Sequence, residues 1–345
     1  MLKKLWPKIR NYVFLALGLG LIYMVFRDVD FVWMWNEIKQ ANMAWVALSL
    51  ACGLAAMLSR AWRWRMLLEP LGYKPHFLHC FYGVAIGYFA NIALPRMGEV
   101  VRCTILNQSD EVPVNKAFGT VILERIIDLF MLISLVFTVL AARWEMFGDF
   151  FVKEVFKLNS ASSNGSNSKS LWIGIALLLM IAVIAILFAF RKKIAALPAF
   201  EKIKTFLSGL GDGLSSILRM KNKGWFIFHT LFIWMNYFLM TWVCVFSYGP
   251  TKLLKAFDGL FLMVVGGLGM TAPVQGGFGA FHYLVEKALM IYSIVPSVNP
   301  QTGGELRPGL VFATIVHTGQ LLLTLVTGIT ALILFYLFRR KRIAA

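Results

Sequence analysis

Long apolar runs dominate the hydropathy pattern of this chain. Residues 171–190 carry no charge at all, and comparable runs cover 11–26, 43–58, 117–142, 225–246 and 309–338. A helix needs ~20 apolar residues to cross a bilayer, and several of these runs approach or exceed that. The pattern therefore predicts an all-α, polytopic membrane helix bundle. The ~10-residue alternating segments of a transmembrane β-barrel are absent.

Two other apolar stretches cannot form single regular helices. The first lies near 77–116, where Gly83 and Gly87 interrupt the run and Pro95 stops it. The second lies near 258–292, with Pro273 set among Gly266, Gly267, Gly269, Gly276, Gly277 and Gly279. Proline removes a backbone donor and glycine weakens a helix interior. In each stretch roughly a dozen apolar residues end in proline, and a glycine follows three residues on, at Gly98 and Gly276. Paired Gly/Pro-interrupted segments in corresponding halves point to an inverted repeat with a midplane site. The expected organisation is one membrane domain over 1–345. Its halves are 1–142 and 171–345, each with one re-entrant or broken element, joined by a flexible outer loop at 143–170.

Charge orients this bundle. The net charge is +17, and the cations gather beside apolar runs: Lys3, Lys4, Lys8 and Arg10, then Arg60, Arg63 and Arg65, then 191–223, then Arg339 to Arg342. By the positive-inside rule these segments face the cytoplasm, which places both termini there in a cytoplasmic, multi-pass membrane protein. The first apolar run is read as a retained span because no small-residue cleavage site follows it. The count closes only if 77–116 enters and leaves on the cytoplasmic side. The cations serve membrane placement and anionic lipid, so nucleic acid is not an expected partner. A hydrophobic fraction of 59%, with 15% charged residues and a mean hydropathy of +0.71, excludes an ordinary water-soluble globule. Four scattered cysteines with no CxxC pair give neither a disulfide framework nor a zinc site, and no cofactor is expected.

Against this background, charge inside apolar sequence needs a reason, because intramembrane ionisable groups are costly and mark substrate or ion paths. Arg96, Glu99 and Arg102 follow the first break. Glu124 and Asp128 lie at i and i+4 with Arg125 between them, roughly 10 to 17 Å into their span at 1.5 Å per residue. One reading is a structural network in which Arg125 pairs with Glu99 or Asp128. The other is that Arg96, Arg102 and Arg125 receive an anionic headgroup, for which the planar guanidinium fork is suited, while the carboxylates orient them. Around the second break, Pro273, Gly276 and Gly277 shape the backbone. His282 and Glu286, again at i and i+4, form a protonatable pair or an interior hydrogen bond. His229 and His317 are read as core residues.

At these residues the chain resembles a known family. Pro95 to Glu99 with Arg102, then Glu124, Arg125 and Asp128, then Pro273 with Gly276 to Gly279, are similar to the transmembrane flippase region of lysylphosphatidylglycerol synthetases and their stand-alone relatives. The resemblance covers essentially the whole chain. It departs where many relatives carry proline at the place of Gln275 and glutamate at the place of His282. It implies movement of a lipid between leaflets, such as an aminoacylated phospholipid or a lipid-linked sugar. A homo-oligomer or a separate lipid-synthesising enzyme would be the protein partner, since the synthetases' soluble transferase domain is not expected here. Two alternatives remain open. A membrane glycosyltransferase would use Asp28 and Asp30, although no common enzyme fingerprint occurs. An ion-coupled carrier would use His282 or Glu286.

Overall fold

The computed structural model describes residues 16–93, 97–150, 220–272 and 274–344. The expected charge-free span 171–190, the basic segment 191–219, Pro95, Arg96 and Pro273 lie outside the described residues. The described chain is almost wholly helical: α1 Ala16–Phe26, α2 Phe31–Gln40, α3 Met43–Leu68, α4 Phe77–Ala93, α5 Gly98–Asp110, α6 Val114–Ala142, α7 Trp144–Phe150, α8 Lys223–Val245, α9 Ala256–Met270, α10 Ala280–Met290 and α11 Pro308–Ala344. Among these, α3, α6, α8 and α11 are long and apolar enough to cross a membrane. Rows such as Leu129, Phe130, Ile133 and Phe137 on α6, and Leu322, Val326, Ile329 and Ile333 on α11, face outward. This is a multi-pass membrane bundle.

Both expected breaks are present, and each is the tip of a helical hairpin. The α4–α5 hairpin closes because glycines let two backbones touch. A Cβ on Gly98 would sit 2.1 Å from the Gly87 carbonyl oxygen, and the Gly98 amide donates to Asn91 Oδ1 at 2.7 Å. At the other end His79 Nδ1 meets Asp110 Oδ2 at 2.9 Å, so the hairpin starts and finishes at one end of the bundle. In the α9–α10 hairpin Phe281 packs on Gly266 and Gly269, and the Tyr292 hydroxyl donates to Asp258 Oδ1 at 3.1 Å. Between its helices Gly276, Gly277 and Gly279 have φ of +56°, +74° and +79°, a left-handed path that glycine adopts without steric cost.

The hairpins open toward opposite ends. His79 and Asp110 lie with the C-terminal part of α11, where the His79 ring packs against Phe338 at 4.5 Å. Asp258 lies with the junction of α6 and α7, where Arg143 Nη1 approaches it at 3.4 Å. The spanning helices alternate to match. Ser59 meets His229 and Ser49 meets Met240, so α3 and α8 are antiparallel.

Two sequence expectations change, and two further elements appear. The second span does not stop at residue 58; α3 continues to Leu68 and carries Arg60 and Arg63 into the interior, 2% and 0% exposed. The outer loop 143–170 does not begin as a loop, because Trp144–Phe150 is a helix whose Phe147 is buried and stacked on Phe261 at 4.0 Å. Residues 27–42 contain α2, which Asp30 caps by accepting from the Trp33 amide at 3.0 Å. The loop before α11 holds a short antiparallel pair, Ser297–Val298 with Glu305–Leu306.

Candidate functional site

Where the two hairpin tips meet, α4 contacts the turn Gln275–Gly277. Beside this contact lies a cavity of about 570 Å³, walled also by α3, α6, α8 and α11. Its polar lining includes Tyr88, Asn91, Glu99, Arg125, His317 and Gln320. Most of the remaining wall is apolar, including Met57, Met240, Met270 and Leu323. A large apolar space with few convergent polar groups is the usual form of a small-molecule or lipid site.

The charged residues divide into two layers. Nearest the cavity, Arg125 Nη2 pairs with Glu99 Oε1 at 3.0 Å, while Glu99 Oε2 and Arg125 Nε are buried without a protein partner. Both side chains keep hydrogen-bonding capacity for something else. Deeper, Asp128 joins Arg60 at 2.7 Å and Arg63 at 2.8 Å, and Glu124 joins Arg102 at 2.8 Å and Arg63 at 3.5 Å. Three guanidiniums thus face two carboxylates on α3, α5 and α6. Arg102 also lies over the Trp64 ring at 3.9 Å, and Trp64 donates to Thr120 Oγ1 at 2.9 Å. Arg102 and Glu124 are 3% and 0% exposed, so this layer is sealed within protein.

The sequence spacing brings these groups together for a simple reason. Arg60 and Arg63 fall on one face of α3, and Glu124 and Asp128 on one face of α6. Two arginines therefore interleave with two carboxylates. Sequence reading missed Arg60 and Arg63 because a basic cluster beside an apolar run also marks a membrane interface. The i, i+3 spacing of the two arginines, matching the i, i+4 carboxylates, was the available signal.

Around the second break, Gly276 and Gly277 line the cavity. Glu286 is 1% exposed and forms a two-pronged ion pair with Arg307, whose Nε lies 2.6 Å from Glu286 Oε1. His282 is buried among Phe26, Phe278 and Phe281, and its ring is 4.9 Å from that of His317. The neighbour of His282 is thus His317, which the sequence reading had left in the core. His317 Nε2 bonds the Gly276 carbonyl at 2.8 Å. Among the described residues no three His, Cys, Asp or Glu side chains cluster as metal ligands.

The two aspartates of the enzyme alternative have other partners. Asp30 accepts from Trp33 N, from Asn299 Nδ2 at 2.9 Å and from Thr302 Oγ1 at 2.7 Å. Asp28 is paired with its neighbour Arg27 at 2.7 Å.

Residues 12–299 match the family described as the lysylphosphatidylglycerol synthase TM region. A UPF0104 membrane protein of Methanocaldococcus jannaschii is 32% identical over 90 residues, covering 25% of this chain and 27% of that protein. The match thus spans about a quarter of that relative's length. No solved structure matches.

Proposed function

We propose that this chain, which belongs to the lysylphosphatidylglycerol synthase transmembrane-region family, moves a lipid between leaflets by passing its headgroup through the cavity at the hairpin tips. The supporting observation is the Glu99–Arg125 pair, which lines an otherwise largely apolar cavity with one oxygen and one nitrogen unpartnered. Arg125 would hold a phosphate or another headgroup anion, since a guanidinium offers paired donors in the plane that such groups accept. Glu99 would orient Arg125 and meet any cationic part of the headgroup. An aminoacylated phospholipid and a lipid-linked sugar both fit this chemistry.

In this reading Arg102, Glu124 and Asp128 act from behind. Together with Arg60 and Arg63 they fix α5 and α6 against α3, so that Glu99 and Arg125 hold their positions. Arg96 adjoins the same break in sequence and would add a second cation near the headgroup. Pro273, Gly276 and Gly277 would shape the opposite wall. Both hairpins would be re-entrant, one from each side of the membrane. The basic ends of α8 and α11, with Lys221, Lys223, Arg339 and Arg340, would face the cytoplasm.

The reading is tested with purified protein in liposomes carrying a fluorescent phospholipid. Wild-type protein is expected to exchange the label between leaflets faster than protein-free vesicles. Arg125→Ala should slow that exchange, and Arg125→Lys should fall between, because it keeps the charge without the fork. Equal rates for wild type and Arg125→Ala, with both proteins folded, would remove Arg125 from the path.

A further inference from the structure

The buried His282–His317 pair has no place in the headgroup scheme, yet it touches the one segment common to the cavity and the second hairpin. His317 lines the cavity and is 4% exposed. Its Nε2 lies 2.8 Å from the Gly276 carbonyl oxygen. A carbonyl only accepts, so Nε2 carries the hydrogen, and neutral His317 keeps its lone pair on Nδ1. That Nδ1 is buried with no protein partner, and so is Nδ1 of His282. A basic imidazole nitrogen is therefore held unpartnered beside the cavity.

We propose that His317 and His282 together form a site for one proton, and that its occupancy controls the turn Gln275–Gly279 that closes the cavity. The site takes one proton because two imidazolium rings 4.9 Å apart would repel. Among the described residues neither ring has an ion-pair partner, and the charges on the same cavity, Glu99 and Arg125, pair with each other. On α1 the contact is Phe26, and on the turn and α10 it is Phe278 and Phe281. The nearest carboxylate along α10, Glu286, is held by Arg307. Among the described residues, the titratable group acting directly on His282 is His317.

An imidazolium in this aromatic nest is poorly solvated, so protonation favours a conformation in which the pair meets the water of the cavity. His317 grips Gly276, and Phe278 of the same turn packs against both rings, at 4.7 Å from His317 and 6.3 Å from His282. Turning the rings toward water therefore loosens the turn. Three left-handed glycines, Gly276, Gly277 and Gly279, make that turn the natural place for such a rearrangement. Protonation adds a hydrogen to an imidazole nitrogen and removes it again on closing, with no other reactant. Used in a transport cycle, this would couple headgroup passage to a proton gradient. That consequence rests on the lipid-transport reading, whereas the proton site and its link to the turn do not.

The test separates the two. Hydrogen–deuterium exchange of the peptide spanning 274–282 is followed in detergent-solubilised full-length protein from about pH 8 to about pH 5, corrected for intrinsic chemical exchange; this window brackets the ordinary imidazole range. Wild-type protection of the turn is expected to fall toward acid by as much as ~10-fold per pH unit, the limit for one linked proton. His317→Gln can still donate to Gly276 but cannot titrate, and His282→Phe fills the aromatic nest. Each leaves one imidazole in place, so the pH response should weaken in either variant and vanish in the double variant. Flat wild-type protection, or a slope unchanged in both variants, overturns the proposal. In liposomes, an imposed pH gradient should accelerate lipid exchange by wild type, less by either variant, and not at all by the double variant. Titration of the turn without any lipid exchange would reject the transport reading and keep the proton site. Exchange that ignores the gradient would reject the coupling alone.

Discussion

At the residue scale, the sealed ion network joins three helices. Arg63 is fully buried and meets both Glu124 and Asp128, so removing it takes one of two arginine partners from each buried carboxylate and leaves Asp128 to Arg60 and Glu124 to Arg102. Breaking such a buried pair costs about 3–5 kcal/mol, and Arg63→Leu should lower stability by that order in a detergent unfolding titration. A midpoint equal to wild type would show that the network carries little of the fold. Arg125→Leu should cost far less, because Arg125 is partly exposed and has one partner. Asp30 offers a pH test on the same scale. The Trp33 amide, then the Thr302 hydroxyl and the Asn299 amide, hold its carboxyl below the ordinary carboxylate range. The contribution of Asp30 is therefore complete above about pH 4, its unfolded value, and disappears as pH falls through the lower folded value. Amide exchange in 297–306 should rise at acid pH in wild type. Asp30→Asn, which keeps the oxygen that caps α2, should flatten that response.

At the element scale, the hairpins depend on backbone contact that side chains would prevent. Gly98→Ala places a methyl 2.1 Å from the Gly87 oxygen, so α4 and α5 must separate. Overpacking of this kind costs about 1–3 kcal/mol or more. Gly224→Ala, with nothing within 4 Å of the added Cβ, is the matched control and should leave thermal stability unchanged. Loss of stability in both, or in neither, would contradict the packing described. The existence of these hairpins was legible in the sequence, because glycine and proline inside apolar runs rule out continuous helices. The route of α3 was not. A window of apolar residues ends at residue 58, whereas the helix continues because Arg60 and Arg63 find carboxylates on α6. That pairing lies 65 residues away for Arg63 and Asp128, and no local pattern reports it. Likewise α7 reads as loop from its polar sequel, although Phe147 and Phe150 bury it against α9.

At the scale of the whole molecule, two hairpins pack among the long helices, open toward opposite ends and have a cavity beside their tips. The charged residues near Arg125 were legible as a group, but their division into a sealed layer and a cavity-facing pair was not. That division depends on which face of α5 and α6 meets α3. It also changes the candidate site: Glu99 and Arg125 remain in contact with the cavity, and His317 joins them. The central claim is that a lipid headgroup crosses through this cavity. The most direct measurement is leaflet exchange of a labelled phospholipid in liposomes containing Thr324→Trp, which adds bulk to the cavity from α11 and leaves every charged residue in place. Exchange reduced to the protein-free rate, in a protein that unfolds like wild type, is the predicted result. Exchange at the full wild-type rate would contradict the account.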